Sequence, residues 1–244
     1  CYVGIEIELE NLTGIKDSTW DTIQTGEDVT IETPHKLWII RRDGSLRKVG
    51  AEFVSSKIYG KDIILALQEL FTFFKDNDIK PTISERCSLH IHIDISDMSL
   101  DEYLYMLLTY TFTEPLLFNY CGEFRKDNLY CIPYVYTDDY VNQINSLFFE
   151  FRESTNQEYL KRALSLTEKY GALNILPTTS FGSLEFRLHP GTLDITKILE
   201  WINILLSIKK YSLGKAPEGF PEFVSGVGLQ QEIYNIFGME LGNI

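Results

Sequence analysis

An α+β domain built on a largely antiparallel sheet is the fold class that the sequence predicts, and three observations point to it. First, apolar and polar residues alternate strictly in three short stretches: Ile5, Ile7 and Leu9 against Glu6, Glu8 and Glu10; Leu89, Ile91 and Ile93 against His90, His92 and Asp94; Leu184, Phe186 and Leu188 against Glu185, Arg187 and His189. Side chains two apart on a strand share a face, so each stretch has one core face and one polar row. Second, these strands are separated by segments with helical apolar spacing, in an order of strands, helix, strand, helices, strands, helix. Third, Asp43-Gly44-Ser45 lies between two strand-like runs as a hairpin turn would.

Taken in order, residues 2 to 10 read as the first strand. The Thr-, Asp- and Gly-rich stretch from Asn11 to Pro34 is weakly patterned and reads as a long loop or hairpin. Leu37 to Arg41 and Ala51 to Ser55 are strands around the 43–45 turn. Ile63, Ile64, Leu67, Leu70, Phe71 and Phe74 recur at helical spacing and form a face to pack on the sheet. Residues 86 to 95 give the histidine strand. Ser99 with Glu102 is a capping-box signal for a helix towards Tyr120, with a kink or an end expected at Pro115.

A tyrosine-rich linker from Leu129 to Tyr140 leads into two helical patterns, 141–151 and 157–169. Tyr170 to Leu176 is then a candidate strand, and Ser183 to His189 another that stops at the Pro190-Gly191 turn. Asp194 caps an amphipathic helix to about Tyr211, and a short helix is expected from Leu229 to Phe237.

The 244 residues are 44% hydrophobic and carry a formal net charge of −13, so they hold material for a sizeable core and read as one domain. The acidic balance argues against a nucleic-acid partner, which selects a basic stripe. The apolar run from Ile195 to Ile208 is broken by Lys197, Glu200 and Asn203 and falls short of the roughly 20 residues that cross a bilayer, so no membrane association is expected. Cysteines at 1, 87, 121 and 131 lack both disulfide-scaffold density and CxxC spacing, and read as reduced thiols. No targeting motif stands in the chain.

The polar rows carry the chemistry. An acidic row alone is as consistent with a solvated strand face as with a site. His90 and His92 weigh more, because the chain has only 4 histidines and two of them share one strand face. Carboxylates from separate strands suit Mg²⁺, and an imidazole among them suits Mn²⁺ as well. Arg187, two residues from Glu185, is a rigid fork for a phosphoryl group, although an ordinary ion pair explains the two equally. Together the rows point to metal-assisted phosphoryl chemistry, in a chain with no Walker A, GxGxxG or kinase motif.

Gly4-Ile5-Glu6-Ile7-Glu8, Glu52-Phe53-Val54-Ser55, Ser88 to Asp94, Asn174, and Glu185-Phe186-Arg187 with Pro190-Gly191-Thr192 resemble, in order and spacing, the putative amidoligase family of the glutamine synthetase and glutamate-cysteine ligase superfamily. The resemblance runs with gaps from residue 2 to about residue 210 and implies a single carboxylate-amine ligase-like domain with a sheet of the glutamine-synthetase catalytic type. It implies ATP and Mg²⁺ (or Mn²⁺) as cofactors, and an acyl phosphate made from a small-molecule or peptide carboxylate and captured by an amine.

By the same resemblance Glu6, Glu8, Glu52, His90 and Glu185 are metal ligands, and His92 and Asn174 touch nucleotide or substrate. Arg187 neutralises the transferring phosphoryl group, and Asp43 and Ser45 recognise amine or acyl substrate. Arg41 and Arg42, just ahead of that loop, are candidates for a substrate carboxylate, with exposed edge charge as the equal alternative. A glutamine amidotransferase partner and a bacterial or phage-infected cytoplasm follow at family level. Two other readings stay open: a guanidino phosphotransferase on the same scaffold, and a retired ligase-like domain serving as a binding or structural component, for instance of a phage assembly.

Overall fold

The computed structural model describes residues 1–47, 49–133, 170–216 and 229–238. It has an α+β architecture with eight strands and six α-helices among the described residues, and a mostly antiparallel sheet. The chain divides into two compact units, Cys1–Ile93 with His189–Leu199, and Asp94–Leu188 with Glu200–Ile244. The expected helical patterns at 141–151 and 157–169, and most of the tyrosine-rich stretch, lie outside the described residues.

In the first unit β1 (Tyr2–Leu9) is central. On one side it pairs with β6 (Leu89–Asp94), placing Glu6 opposite His90 and Gly4 opposite His92. On the other it pairs with β4 (Ala51–Ser55), placing Glu8 opposite Glu52. The short β5 (Ile58–Tyr59) continues that side along Tyr2 and Val3. The ladder is interrupted between β4 and β5, and the Ser55 hydroxyl fills the gap by accepting the Ile5 N–H at 2.8 Å. β3 (Trp38–Arg41) pairs with β4, and β2 (Val29–Thr30) with β3.

The apolar rows behave as alternation requires. Ile5, Ile7, Leu9, Phe53, Leu89 and Ile91 are fully buried. α2 (Ile63–Asp76) buries Ala66, Leu67 and Leu70, and the Trp38 indole donates to the Ala66 carbonyl at 2.9 Å. Phe53 meets Phe74 edge to face at 5.0 Å, which fixes β4 under that helix. The Pro190-Gly191 segment bonds back to the start of β6, Leu89 N to His189 O and Gly191 N to Cys87 O. A Cβ on Gly191 would stand 2.8 Å from Cys87 Cβ, so this approach needs glycine.

One expectation in this unit is corrected. The 11–34 stretch is not a loop: it forms α1 (Asp17–Gln24) and β2. One buried side chain, Ile23, suffices to dock so short a helix, and one apolar anchor leaves no readable periodicity. Glu10, the last acid of the first row, accepts the Arg47 N–H at its Oε1, at 2.8 Å, and ties down the segment after the 43–45 turn.

In the second unit α3 (Leu100–Cys121) opens on the expected capping box, in which Ser99 and Glu102 each serve the other's backbone. Of the kink or end expected at Pro115 the end is corrected, since the helix runs through the proline. Tyr110, Thr113 and Glu114 before the proline and Leu117 and Phe118 after it are all buried, and that packing outweighs the one hydrogen bond that proline removes. β7 (Leu173–Asn174) and β8 (Ser183–Phe186) are shorter than expected. Between them Pro177 starts α4 (Pro177–Phe181), which ends at left-handed Gly182. α5 (Ile195–Ser212) begins where Asp194 Oδ1 accepts the Thr196 N–H at 2.9 Å, and α6 (Leu229–Phe237) has the expected bounds. No helix among the described residues is long and apolar enough to cross a membrane.

Candidate active site

The polar face of β1, β4 and β6 gathers acids and imidazoles from strands that are far apart in sequence. Antiparallel register partners point to the same side, so Glu6, Glu8, Glu52, His90 and His92 share one face because their partners, not only their own strands, are in phase. Glu8 is 3% exposed, Glu52 8% and His90 2%, which makes this a buried cluster and not a solvated face.

His90 sits among the carboxylates. Its Nδ1 is 3.1 Å from Glu6 Oε2 and 3.8 Å from Glu52 Oε1, and its Nε2 is 3.5 Å from Glu8 Oε1. The other Glu6 oxygen lies 3.1 Å from His92 Nε2, so the Glu6 carboxylate is bracketed by both rings. Gly4 makes room for this arrangement: a Cβ there would come within 3.2 Å of His92 Cβ. Glu8 is fixed from behind by the Ser88 N–H, which donates to its Oε2 at 2.7 Å.

The acids carry opposite shifts. Burial pushes the Glu6 carboxyl up, but the hydrogen bonds and charges of His90 and His92 outweigh it and hold the group well below the usual carboxylate range. Burial also raises Glu52, and the charge and hydrogen bond of Glu6, followed by the charges of Glu8 and Asp43, raise it further. The proton is thus favoured on Glu52 over Glu6.

Ligand atoms of Glu8, Glu52 and His90, one from each, lie within 4.8 Å of one another. Two carboxylates at that separation repel by about 3.5 kcal/mol at an effective dielectric constant of 20, and only a proton or a cation removes the penalty. The donor set of two carboxylates and one imidazole fits Mg²⁺ or Mn²⁺.

The remaining expected residues have defined places. Arg41 is the register partner of Glu52 and lies on the same face, where its Nε and Nη2 donate to both oxygens of Asp28, at 3.1 and 2.7 Å. Asp43 Oδ1 accepts the Ser45 N–H at 2.6 Å, so the two form a closed turn, and the Ser45 carbonyl accepts from Arg86 at 3.1 Å. In the second unit Asn174 and Glu185 are register partners, and the Asn174 amide donates to Glu185 Oε2 at 2.7 Å. Arg187 donates to the other Glu185 oxygen and, at 3.2 Å, to the Tyr130 carbonyl.

Asp94 and His189 stand at the ends of their polar rows. Asp94 Oδ1 accepts the Ser96 N–H and hydroxyl, and His189 Nδ1 lies 2.7 Å from the Pro190 carbonyl.

Sequence reading missed the supports. Arg125, fully buried, donates to the carbonyls of Leu188 at 2.8 Å and Arg187 at 3.0 Å, and so fixes the backbone on which Arg187 stands. Nothing in its neighbourhood marks it, since a charged residue just after a helix is ordinarily solvated. Ser88 stands inside the expected histidine strand, but its role here is played by its backbone N–H, which no side-chain pattern reveals.

No curated protein matches the chain in sequence. A family model described as "putative amidoligase enzyme" matches residues 2–209. That span takes in both buried polar clusters and most of the chain, so the protein belongs to the putative amidoligase family.

Proposed function

We propose that the chain is an ATP-dependent carboxylate-amine ligase that works through an acyl phosphate. The observation that carries the reading is the buried Glu8, Glu52 and His90 set, contributed by three adjacent strands. A purely structural sheet face has no reason to bury mutually repelling carboxylates around an imidazole. A ligase of this kind needs such a set near a triphosphate.

In the proposed reaction a carboxylate oxygen of the acid substrate attacks the γ-phosphorus of ATP, the bond to the β,γ-bridging oxygen breaks and ADP leaves. The nitrogen of the amine then attacks the acyl carbon, inorganic phosphate departs, and the amide forms with loss of the amine's proton. Glu8, Glu52 and His90 would hold a divalent cation, which when bound would neutralise charge on the phosphates. Glu6, bracketed by His90 and His92, orients both rings and adds an acid to the set. Glu185, as a metal acid, and Arg187, as the phosphoryl arginine, keep the roles that the family resemblance gives them. Asn174 orients nucleotide or substrate, while Asp43, Ser45 and Arg41 recognise substrate, Arg41 after exchanging Asp28 for an incoming carboxylate.

The test is a melting curve of the protein with Mg²⁺ alone, ATP alone and both, because a ligand of the folded state raises the midpoint by mass action. A rise that requires both and disappears in Glu8→Gln supports the reading, and no rise at saturating concentrations overturns it. Incubation with ATP, Mg²⁺, a pool of carboxylic acids and hydroxylamine then separates the chemistries. Hydroxamate marks an acyl phosphate, whereas ATP turnover with guanidino compounds and no hydroxamate marks a phosphotransferase.

A further inference from the structure

The sheet of the first unit has a second concavity on its other side. Arg41 faces Glu52, and Glu52 faces Glu8, so these three lie on the acid side. Ile40, next to Arg41 on β3, therefore points the opposite way. It lines a cavity of about 690 Å³ between α1, β2, residues 31–35 and α2, within the size range of small-molecule sites.

The lining is mixed: Ile40, Phe73 and Ile79 give it an apolar part, and of its polar residues Glu69 and Thr33 are the two that are buried. Glu69 is 7% exposed and Thr33 8%, and neither Glu69 Oε2 nor Thr33 Oγ1 has a hydrogen-bond partner among the described residues. The other Glu69 oxygen is engaged by Nδ1 of His35. His35 itself is 57% exposed, at the tip of a turn closed by Lys36 N–H to Thr33 O at 3.2 Å. A buried carboxylate with one oxygen satisfied and one not is penalised until a donor reaches it. The neighbouring hydroxyl adds a second acceptor beside the same apolar wall.

We propose that this cavity is a binding site for a small amphipathic cation, a primary amine or guanidine on a short apolar stem. The cationic head donates to Glu69 and to the Thr33 hydroxyl, and the stem lies against Ile40, Phe73 and Ile79. An alcohol of the same length offers one donor and no charge, and a carboxylate is repelled by Glu69. The site is separate from the metal cluster, because it opens on the opposite face of the same strands.

The experiment is an NMR titration of the full 244-residue chain with n-pentylamine, n-pentanol and pentanoate as probes. Pentylamine is expected to bind saturably, pentanol at least about tenfold more weakly and pentanoate not at all, as a buried carboxylate selecting a cation requires. Glu69→Gln should weaken pentylamine by about tenfold or more, since a charge-assisted hydrogen bond becomes a neutral one. Thr72→Trp, at an exposed α2 position on the cavity wall, should block all binding by filling the space. Equal binding of amine and alcohol, unchanged binding in Glu69→Gln, or no binding by any probe overturns the proposal. If Glu69→Gln does not fold, undiminished pentylamine binding in Thr72→Trp overturns it as well.

Discussion

Glu8 and Glu52 are register partners on adjacent antiparallel strands, and both are buried, with His90 reaching each of them from the third strand. Like charges placed directly opposite one another destabilise a sheet. The cluster is tolerable because Glu52 is driven towards its neutral form by burial and by Glu6, Glu8 and Asp43.

Glu52→Gln imitates that neutral form. The metal-free variant should melt within a few degrees of the parent, as expected for a change within about 1 kcal/mol, and should lose the stabilisation by Mg²⁺ with ATP. Paired melting curves check both halves. A large drop in the metal-free midpoint would mean that Glu52 is an ionised structural partner.

Glu185 is in a different position, because Asn174 and Arg187 both depend on it. Removing one partner of a buried pair strands the other charge, so Glu185→Ala should cost on the order of 3 kcal/mol. Glu185→Gln keeps one acceptor and should cost about 1 kcal/mol. Urea denaturation of the two variants gives the comparison, and equal costs would contradict the bonding described.

Asp97 supplies a pH prediction. Its hydrogen bond to the buried Lys209 ammonium holds its carboxyl below the usual Asp value. A depressed carboxylate stabilises the fold above its unfolded-state pKa and loses that contribution as pH falls through the lower folded value. Parent and Asp97→Asn should therefore differ in urea midpoint at neutral pH and converge in acid, below the ordinary Asp range. The difference should stay under about 1 kcal/mol, because Asp97 is 59% exposed.

Thiol chemistry tests the packing. Cys1 is exposed, whereas Cys87, Cys121 and Cys131 are buried, and burial raises all three of those thiols, Cys131 to about 11. Ellman's reagent at mild alkaline pH should modify one thiol quickly and the other three only after denaturant is added. Rapid native labelling of more than one would refute the burial.

The polar rows were legible because a face buried on one side imposes a period of two, and Glu6, Glu8, His90 and His92 stand at the positions which that period marks. The capping box at Ser99 and Glu102 was legible for a similar reason, since both partners lie within one turn. What stayed hidden depends on contacts between distant residues. α1 has Ile23 as its one fully buried side chain, α3 continues past Pro115 because its flanking turns are packed, and Glu69 meets His35 across 34 positions of sequence. The row members Glu10, Asp94 and His189 each have a local backbone partner, and side-chain periodicity carries no information about which backbone group stands nearby.

Gly4 is the smallest member of the acid-bearing face. Because His92 stands directly opposite with its Cβ 3.2 Å from where a side chain at residue 4 would begin, even an alanine there asks His92 to give by a few tenths of an ångström, and a larger side chain presses harder on the imidazole that contacts Glu6. The glycine is thus a diagnostic character. Related chains that keep both histidines but carry a larger residue at this position should have forfeited the Glu6 and His92 contact, and that single position sorts intact clusters from decayed ones before any protein is purified.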